Sequence, residues 1–178
     1  MQNIKKTLGG FALGAAVTVA SLWISPAYAN IASKGDGNTD VSKTELQCLT
    51  EAVYFEARGE PVSGQIAVAQ VVLNRVSSPL FPDTICDVVY QNDHMMNACQ
   101  FSFACDGKDE AMTDTGAHEA AVASAKTAIA CNPDCREEKG GVAASNFYHA
   151  DYVDPSWAKA FKRTGAVGSH IFYYSASL

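Results

Sequence analysis

Two apolar runs at helical spacing, separated by a short turn, most constrain how this chain can fold. Ser42-Lys43-Thr44-Glu45 fits a helix capping box and precedes the first run. The first run has apolar residues at Leu46, Leu49, Val53 and Ala57, and the second at Ile66, Ala69, Val72, Leu73 and Val76. Arg58-Gly59 ends the first helix, and Pro61 can open the second at its first position. The second helix is apolar over one broad side, which predicts a place near the centre of the core.

Weaker patterns after residue 77 predict short helices and strands. Helices are predicted over 83–90, 117–130 and 154–162, and extended segments over 142–148 and 170–174. Gln100-Phe101-Ser102-Phe103 alternates polar and aromatic residues, as a short strand or a cleft-lining loop does. The sequence therefore predicts a single mostly helical α+β domain with a small β element.

The first 29 residues have the layout of a secretory signal peptide. Lys5 and Lys6 precede an apolar stretch, and Pro26-Ala27-Tyr28-Ala29 ends it with a small-x-small cleavage pattern. An uncleaved anchor is the alternative, but a stretch of about 17 residues is at the lower limit for spanning a bilayer. Residues 30–41 are polar and predict a flexible lead-in to a domain over 42–178. We expect export to the periplasm or cell envelope, with no stable membrane span after cleavage.

Charge excludes one class of partner. Cleavage after Ala29 leaves 149 residues, enough for one domain, and removes two lysines, so the net charge moves from −6 to −8. Nucleic-acid binding depends on clustered Lys and Arg, and a chain this acidic is a poor candidate for it. The sequence therefore predicts no nucleic-acid partner.

All six cysteines follow the predicted cleavage site: Cys48, Cys86, Cys99, Cys105, Cys131 and Cys135. An even number in an exported chain predicts disulfides, although six cysteines allow 15 connectivities. Cys99/Cys105 and Cys131/Cys135 are close enough in sequence to form local pairs, which would leave Cys48/Cys86 to tie the first helix to a later one. A zinc site is the alternative, but the spacing lacks the paired ligands of a structural zinc site. We expect no metal and no cofactor.

Glu56 is the informative acid. On the first helix it lies about 20° from Leu49, among apolar positions, whereas Glu45 and Glu51 are predicted to be solvated. Burial raises a carboxyl pKa, so Glu56 should hold its proton to higher pH than a free glutamate does. A protonated acid in an apolar cleft is what cleavage of a glycosidic bond requires. The alternative is a structural ion pair of Glu56 with Arg58 or Arg75.

An ordered series of short motifs runs through residues 45–174. The motifs are EAVYFEARGEP at 51–61, GQIAVA at 64–69, VLNRV at 72–76, CQFSF at 99–103, FYH at 147–149, PSW at 155–157 and GSHIFY at 168–173. This series resembles the SleB-type cell-wall hydrolase family, first known as spore-cortex-lytic enzymes. The resemblance implies a lysozyme-like fold that cleaves the β-1,4 bond between N-acetylmuramic acid and N-acetylglucosamine in peptidoglycan. It implies that the family's single catalytic glutamate corresponds to Glu56.

The resemblance also implies a lytic transglycosylase, which leaves a 1,6-anhydro-muramic end and needs no second carboxylate. A hydrolytic muramidase is the alternative, since an aspartate could activate water across the scissile bond. The candidates for that role are Asp87, Asp93, Asp106, Asp109 and Asp114. Glu60 is the second candidate for the acid, but it is expected beside a helix N-terminus, which favours its charged form.

Four polar residues are predicted to bind substrate: Gln100, Ser102, Tyr148 and His149. Gln100 and Ser102 would hydrogen-bond N-acetyl groups, and Tyr148 and His149 combine an aromatic ring with a polar tip. Structural roles are the alternative for each. His170 and Trp157 are interpreted as structural.

Two other classes remain open at this level. A cysteine-dependent amidase or endopeptidase would use Cys105 or Cys99 as nucleophile and His149 as base. A glycan-binding module without catalysis would bind peptidoglycan equally well after Glu56 is replaced.

Overall fold

The structure, a computed structural model, describes residues 41–95, 99–131 and 141–177. Its α-helices are α1 (Lys43–Ala57), α2 (Val62–Val76), α3 (Ile85–Val89) and α4 (Thr115–Cys131). Its strands are β1 (Phe147–Ala150), β2 (Lys162–Val167) and β3 (His170–Tyr174), and single 3-10 turns cover Ser102–Cys105, Gly141–Ala144 and Ser156–Lys159. The predicted α+β class with a small β element is confirmed. The predicted signal peptide lies outside the described residues, as does nearly all of the lead-in.

The first two helices form the centre of the core. On α1, the side chains of Leu49 and Val53 are fully buried, and on α2 those of Val68 and Val72 are as well. Each of these side chains contributes about 1.5–3 kcal/mol when it is fully buried. The two helices pack against each other, and both contact α3 and α4. Pro61 is the N-cap of α2 rather than its first residue, so the helix begins at Val62, one residue later than predicted.

Helix α1 begins with only half of the predicted capping box. Ser42 Oγ accepts the Glu45 N–H at 3.2 Å, as a capping serine should. The Glu45 carboxylate does not complete the box, because it accepts the N–H of Ile85 at 2.6 Å. Glu45, predicted to be solvated, is instead partly buried and joins the start of α1 to the start of α3.

The prediction of a solvated Glu51 was wrong. Its side chain is buried and accepts hydrogen bonds from Tyr90 Oη at 2.5 Å and from Gln47 Nε2 at 3.0 Å. The reason is tertiary, since α3 packs across this side of α1 and brings Tyr90 onto the carboxylate. Hydrogen bonds satisfy the buried acid, as burial requires.

Two of the predicted disulfides are present. Cys48 on α1 bonds Cys86 on α3, so a later helix is tied to the first as expected, and Cys99 bonds Cys105. Thr84 caps α3 by accepting the Asp87 N–H at 3.1 Å. The Cys131/Cys135 pair stays a prediction, because Cys135 lies outside the described residues.

The segment around Phe101 is not a strand. Phe101 and Phe103 are both buried, as the alternating pattern indicates, but Ser102–Cys105 is a 3-10 turn. The Cys99–Cys105 bond closes this segment into a short loop, which prevents an extended course. Phe103 stacks on Phe55 of α1 with ring centres 4.8 Å apart, which holds the loop against the end of that helix.

The strands form an antiparallel sheet with the order β1-β3-β2. Strand β3 was predicted, but β2 was not, and the predicted helix over 154–162 is only the 3-10 turn Ser156–Lys159. None of the residues of β2 is buried, so the strand lacks the apolar alternation that marks a half-buried strand. The pairing with β3 decides its conformation.

The segment before β1 also differs from its prediction. Gly141–Ala144 is a 3-10 turn, whereas residues 142–148 were predicted to be extended. Buried Asn74 on α2 donates through Nδ2 to the carbonyls of Ala143 at 2.9 Å and Ser145 at 2.7 Å. These two hydrogen bonds hold the turn against α2 and bring the start of β1 beside the core.

The β2–β3 turn is held against the loop between α1 and α2. The Glu60 carboxylate accepts the Ser169 N–H at 3.0 Å and also the Ser169 hydroxyl. Gly168, with φ at +58°, lies directly against this carboxylate. A side chain at position 168 would meet both strain and overlap, so this glycine is required by geometry.

Candidate active site

A cleft of about 470 Å³ lies between the end of α1, the 99–105 loop and strand β1. Its lining contains all of the predicted site residues, namely Glu56, Gln100, Ser102, Tyr148 and His149. It also contains residues to which the sequence assigned no site role: Arg75, Tyr152 and His170. The structure therefore brings together side chains that are separated by up to 114 positions in the chain.

Glu56 lies in the last turn of α1, at the boundary between core and cleft. Its neighbours Ala52 and Val53 on the same helical face are fully buried, while Glu56 itself is partly exposed. Tyr148 on β1 donates its hydroxyl to Glu56 Oε2 at 3.2 Å. The helical register thus turns this carboxyl inward, as predicted, and toward a cavity rather than into packed core.

The surroundings of Glu56 favour its protonated form. Burial raises the pKa of the Glu56 carboxyl above its ordinary value. The Tyr148 hydrogen bond, the Arg75 charge and the Ser102 backbone N–H lower this pKa, but burial outweighs them. The result is a carboxylic acid that keeps its proton to higher pH and still has groups ready to stabilise its anion.

The alternative of a structural ion pair finds no support in the described part of the chain. There, the ion pairs are His94 with Asp93 and Lys108 with Asp106, so Glu56 pairs with neither Arg58 nor Arg75. Arg58 is exposed and contacts Tyr54, with its guanidinium 5.4 Å from the ring centre.

Arg75 is a buried cation in the wall of the cleft. Its side chain is 3% exposed, and Nε donates to the Asn146 carbonyl at 2.8 Å. The guanidinium also lies 5.3–5.5 Å from the ring centres of Phe81, Phe101 and Phe147, within cation–π range. Burial lowers the pKa of Arg75 to about 10, so it stays charged at neutral pH. Arg75 is the one charged residue of α2, and this was the available signal for its position.

Gln100 is bound to Arg75. Its surroundings orient the amide oxygen toward the guanidinium, where it accepts from the two terminal nitrogens at 3.0 and 3.3 Å. Ser102 is exposed at the cleft. Its backbone N–H hydrogen-bonds the Glu56 carboxylate and so lowers the pKa of that carboxyl. Arg75 therefore holds the 99–105 loop beside the carboxyl.

His149 is hydrogen-bonded through both ring nitrogens. Nδ1 lies 2.8 Å from the Ala150 carbonyl, which can only accept, so Nδ1 carries the proton. Nε2 then accepts from the Tyr173 hydroxyl at 3.0 Å, and the ring stacks on Tyr173. These contacts favour the structural role for His149. Trp157 packs among Phe147, Phe161 and Tyr173 and does not line the cleft.

His170 lies in the cleft wall rather than in a fully satisfied core position. Its side chain is 7% exposed, its ring edge meets Tyr148, and Nδ1 has no hydrogen-bond partner among the described residues. Burial lowers the pKa of His170, so the neutral form is favoured. The His170 ring packs against the Tyr148 ring with ring centres 5.0 Å apart, and it adds no charge to the cleft at neutral pH.

Glu60, the second candidate for the acid, does not line the cleft. Burial raises the pKa of its carboxyl, but the two hydrogen bonds from Ser169 outweigh burial and lower it below the ordinary value. The charged form of Glu60 is therefore favoured, as predicted, but the cause is the hydrogen bonds from Ser169 in the β2–β3 turn rather than a helix N-terminus. Glu60 connects the loop between α1 and α2 to the β2–β3 turn.

Glu56 is the one carboxylate among the described residues that line the cleft. The aspartates considered as its partners lie elsewhere, and three of them have local roles. Asp87 is bonded to Thr84 at the start of α3, Asp106 pairs with Lys108, and Asp114 accepts the Ala117 N–H at the start of α4. The geometry thus presents a single acid.

The cysteine-dependent alternative lacks its nucleophile. Cys99 and Cys105 are bonded to each other, so neither sulfur is available as a thiolate. His149, its proposed base, is already occupied at both nitrogens.

In the described ranges no cluster of three or more His, Cys, Asp or Glu side chains is placed to hold a metal ion. None of the helices described there is long and apolar enough to cross a membrane.

Comparison with known proteins places this chain in a family. The sequence model of the Cell Wall Hydrolase family matches residues 59–173, and the chain belongs to this family. It is 31% identical over 144 residues to the spore cortex-lytic enzyme of Halalkalibacterium halodurans, covering 81% of this chain and 39% of that protein. It is also 31% identical over 131 residues to the spore cortex-lytic enzyme of Bacillus subtilis, covering 74% and 38%. The chain thus spans about two-fifths of the length of these relatives.

Solved structures show the same fold. The catalytic domain of the Bacillus cereus SleB protein superposes with a TM-score of 0.58 at 30% identity, covering 79% of this chain and all of that one. The catalytic domain of the germination-specific lytic transglycosylase SleB from Bacillus anthracis gives 0.54 at 27% identity, covering 76% and 98%. The predicted SleB-type family is confirmed, and the described residues correspond to the catalytic domain of these proteins.

Proposed function

We propose that this chain is an exported cell-wall lytic enzyme that cleaves peptidoglycan glycan strands at the β-1,4 bond between N-acetylmuramic acid and N-acetylglucosamine. The observation that carries the proposal is the Glu56 carboxyl, whose pKa is raised by burial and which faces a cleft. Family membership and the likeness to SleB catalytic domains support it. The apolar first 29 residues with their cleavage pattern support export to the periplasm or cell envelope.

The first chemical step is protonation of the leaving group. Glu56 gives its proton to the glycosidic oxygen, the bond from that oxygen to the muramic anomeric carbon breaks, and the bonding electrons stay with the oxygen. Positive charge develops on the anomeric carbon while Glu56 becomes a carboxylate. The Tyr148 hydroxyl and the Arg75 charge stabilise that carboxylate, which offsets the cost of creating it in a partly buried position.

A lytic transglycosylase completes the reaction without water. The 6-hydroxyl of the same muramic residue attacks the anomeric carbon, and Glu56 takes the hydroxyl proton, which regenerates the acid and leaves a 1,6-anhydro end. The single carboxylate in the described cleft favours this route, because the two-carboxylate mechanisms need a second acid across the bond. Hydrolysis by a muramidase mechanism is the second candidate.

Substrate contacts are assigned by position in the cleft. Ser102 is exposed beside Glu56 and is suited to hydrogen-bond an N-acetyl group, and Gln100 lines the same wall. Tyr148 contacts the acid and His149 supports the strand that carries Tyr148. We therefore propose Ser102 and Gln100 as substrate-binding residues and Tyr148 as a residue that positions and tunes the acid.

Mass spectrometry of the fragments released from purified sacculi tests the reaction type. We expect muropeptides with 1,6-anhydro-muramic ends, each lighter by one water than the corresponding reducing-end product. Reducing ends as the main product would replace the transglycosylase with the muramidase mechanism. A protein that releases no fragments at all would contradict the proposed function, and a binding module would then be the explanation.

The Tyr148→Phe variant is expected to move the alkaline limb of the pH–activity profile toward higher pH. Tyr148 stabilises the charged form of Glu56, so loss of its hydroxyl raises the pKa of that carboxyl further. Activity depends on the protonated acid and falls as pH rises through this pKa, so the fall comes later in the variant. Initial rates on sacculi across pH measure it, with Tyr174→Phe as the matched control outside the cleft. A limb that stays in place or moves to lower pH contradicts the assignment.

A further inference from the structure

Tyr152 is an exposed aromatic residue in the lining of the cleft. Its side chain is 86% exposed, the highest value among the large exposed apolar and aromatic residues of the described chain. It lines the same cavity as Glu56 and Tyr148. A tyrosine that is this exposed contributes little to folding, so the fold alone does not account for a ring at this place.

The backbone under Tyr152 is firmly held. Residues 150–153 form a tight turn directly after β1, closed by the Val153 N–H, which donates to the Ala150 carbonyl at 2.9 Å. The Asp151 N–H donates to the Ser169 carbonyl at 2.8 Å, which fastens this turn to the β2–β3 turn. Tyr152 is therefore presented at the cleft by a rigid scaffold rather than by a long loop.

The position of Tyr152 relative to the acid follows from the chain. Tyr148 contacts Glu56, and Tyr152 is four residues further on. By the rise of an extended chain, the Cα atoms of Tyr148 and Tyr152 are at most about 13 Å apart. A glycan strand with its scissile bond at Glu56 thus places a neighbouring sugar within reach of the Tyr152 ring.

The charges nearby distinguish between parts of the substrate. Exposed Asp151 and Asp154 flank the tyrosine in sequence, and they disfavour an anionic peptide or lactyl group beside it. An uncharged pyranose ring has one face of C–H groups, which packs well on an aromatic ring whose edge also carries a hydroxyl.

We propose that Tyr152 is a sugar-binding residue of the cleft, on which the C–H face of an uncharged pyranose of the glycan strand stacks next to the site of cleavage. The proposal rests on the proposed function of the cleft and adds to it a residue that determines how the strand is held. Tyr152 contributes binding and does not touch the reacting atoms, so its loss weakens affinity while the chemical step stays intact.

Binding isotherms on purified sacculi test the proposal in the Glu56→Gln background, where no turnover changes the substrate. Tyr152→Ala is expected to raise the Kd about tenfold, which corresponds to about 1.4 kcal/mol. Tyr152→Phe keeps the ring and is expected to bind nearly as well as its parent. Tyr174→Ala is the matched control, because Tyr174 is also exposed, at 44%, but lines a different cavity.

An unchanged Kd for Tyr152→Ala would overturn the proposal. A loss for Tyr152→Phe as large as that for Tyr152→Ala would overturn it too, because the hydroxyl and not the ring face would then be the contact. Fragment release by the wild-type protein is measured alongside. Normal release with an unchanged Kd refutes the Tyr152 proposal alone, while absence of release refutes the proposed function whatever the Kd values are.

Discussion

The Glu56→Gln variant is expected to release soluble fragments from sacculi at least about 100-fold more slowly than the wild type, since a positioned general acid contributes about 10²–10⁴-fold. Glutamine keeps the size of the side chain and an oxygen that accepts hydrogen bonds, but its amide is far too weak an acid to protonate the glycosidic oxygen. Binding to sacculi should be retained, because the cleft and its other residues are unchanged. Turbidity loss of a sacculus suspension and quantification of released muropeptides measure the effect.

Stability provides the internal control for this variant. The folded-state pKa of Glu56 is raised, so the stability contributed by its proton is present at low pH and is lost as pH rises through that folded pKa. Glutamine carries no charge that must be buried, so the variant should be at least as stable as the wild type at neutral pH. Loss of activity together with loss of folding would therefore not be accepted as evidence for catalysis.

Glu60→Gln is the matched comparison for activity. Glu60 belongs to the same motif but is turned toward Ser169 and lies outside the cleft. The Glu60→Gln variant should therefore retain most of the activity. Its thermal midpoint should be lower, because the hydrogen bonds to Ser169 are weakened. Near-wild-type fragment release by Glu56→Gln, or a larger loss in Glu60→Gln, would contradict the assignment of the acid.

The Gly168→Ala variant is expected to lower the free energy of unfolding by about 2–4 kcal/mol. Gly168 has φ at +58°, where a side chain is strained, and an added Cβ would overlap the Glu60 carboxylate and lie 3.0 Å from Pro61 Cδ. Moving the carboxylate away breaks its hydrogen bonds to Ser169, which join the sheet to the loop between α1 and α2. Urea denaturation followed by circular dichroism measures the loss.

Gly107→Ala separates the two causes. Gly107 has φ at +73°, a similar backbone conformation, but a Cβ there would meet nothing within 4 Å. This control should lose only the backbone contribution, about 1 kcal/mol. Equal losses in the two alanine variants would show that the contact between Gly168 and Glu60 adds nothing to stability.

The elements that the sequence predicts well are those whose pattern is set by a single buried face. Helices α1 and α2 have apolar residues at helical spacing with recognisable ends, and both lie within one or two residues of their predicted bounds. Strand β2 has no such face, and it is a strand because β3 offers a partner for its backbone. Pairing of this kind depends on the rest of the fold and leaves no trace in local composition.

Burial of polar residues can likewise be predicted where helical register decides it, but not where packing of distant elements does. The inward direction of Glu56 follows from helical register, since it lies on the face of Leu49 and Val53. Burial of Glu51 does not, because it depends on α3 crossing that side of α1. Arg75 is comparable. An ion pair was the alternative from sequence, whereas its actual partners are a carbonyl, an amide oxygen and three rings, and of these only Phe81 is near it in the chain.

The cleft likewise contains residues that could be predicted from local sequence and residues that could not. Glu56 was predicted from helical register and motif resemblance, and the chemistry of their side chains suggested Gln100, Ser102, Tyr148 and His149. The fold brings all five to one cavity. Tyr152 and His170 were not predicted as site residues, because only the Ala150–Val153 turn and the start of β3 bring them there. Local sequence therefore predicted these five residues, but it did not predict that Tyr152 and His170 join them in the cleft wall.

Direct titration of the Glu56 carboxyl tests the central claim most closely. Difference infrared spectra of wild type against Glu56→Gln, recorded across pH, report the protonation state of this one group. We expect its pKa to lie above that of an ordinary glutamate and to coincide with the alkaline limb of the pH dependence of kcat/KM. A carboxyl that titrates at or below the ordinary value, or away from that limb, would contradict Glu56 as the proton donor.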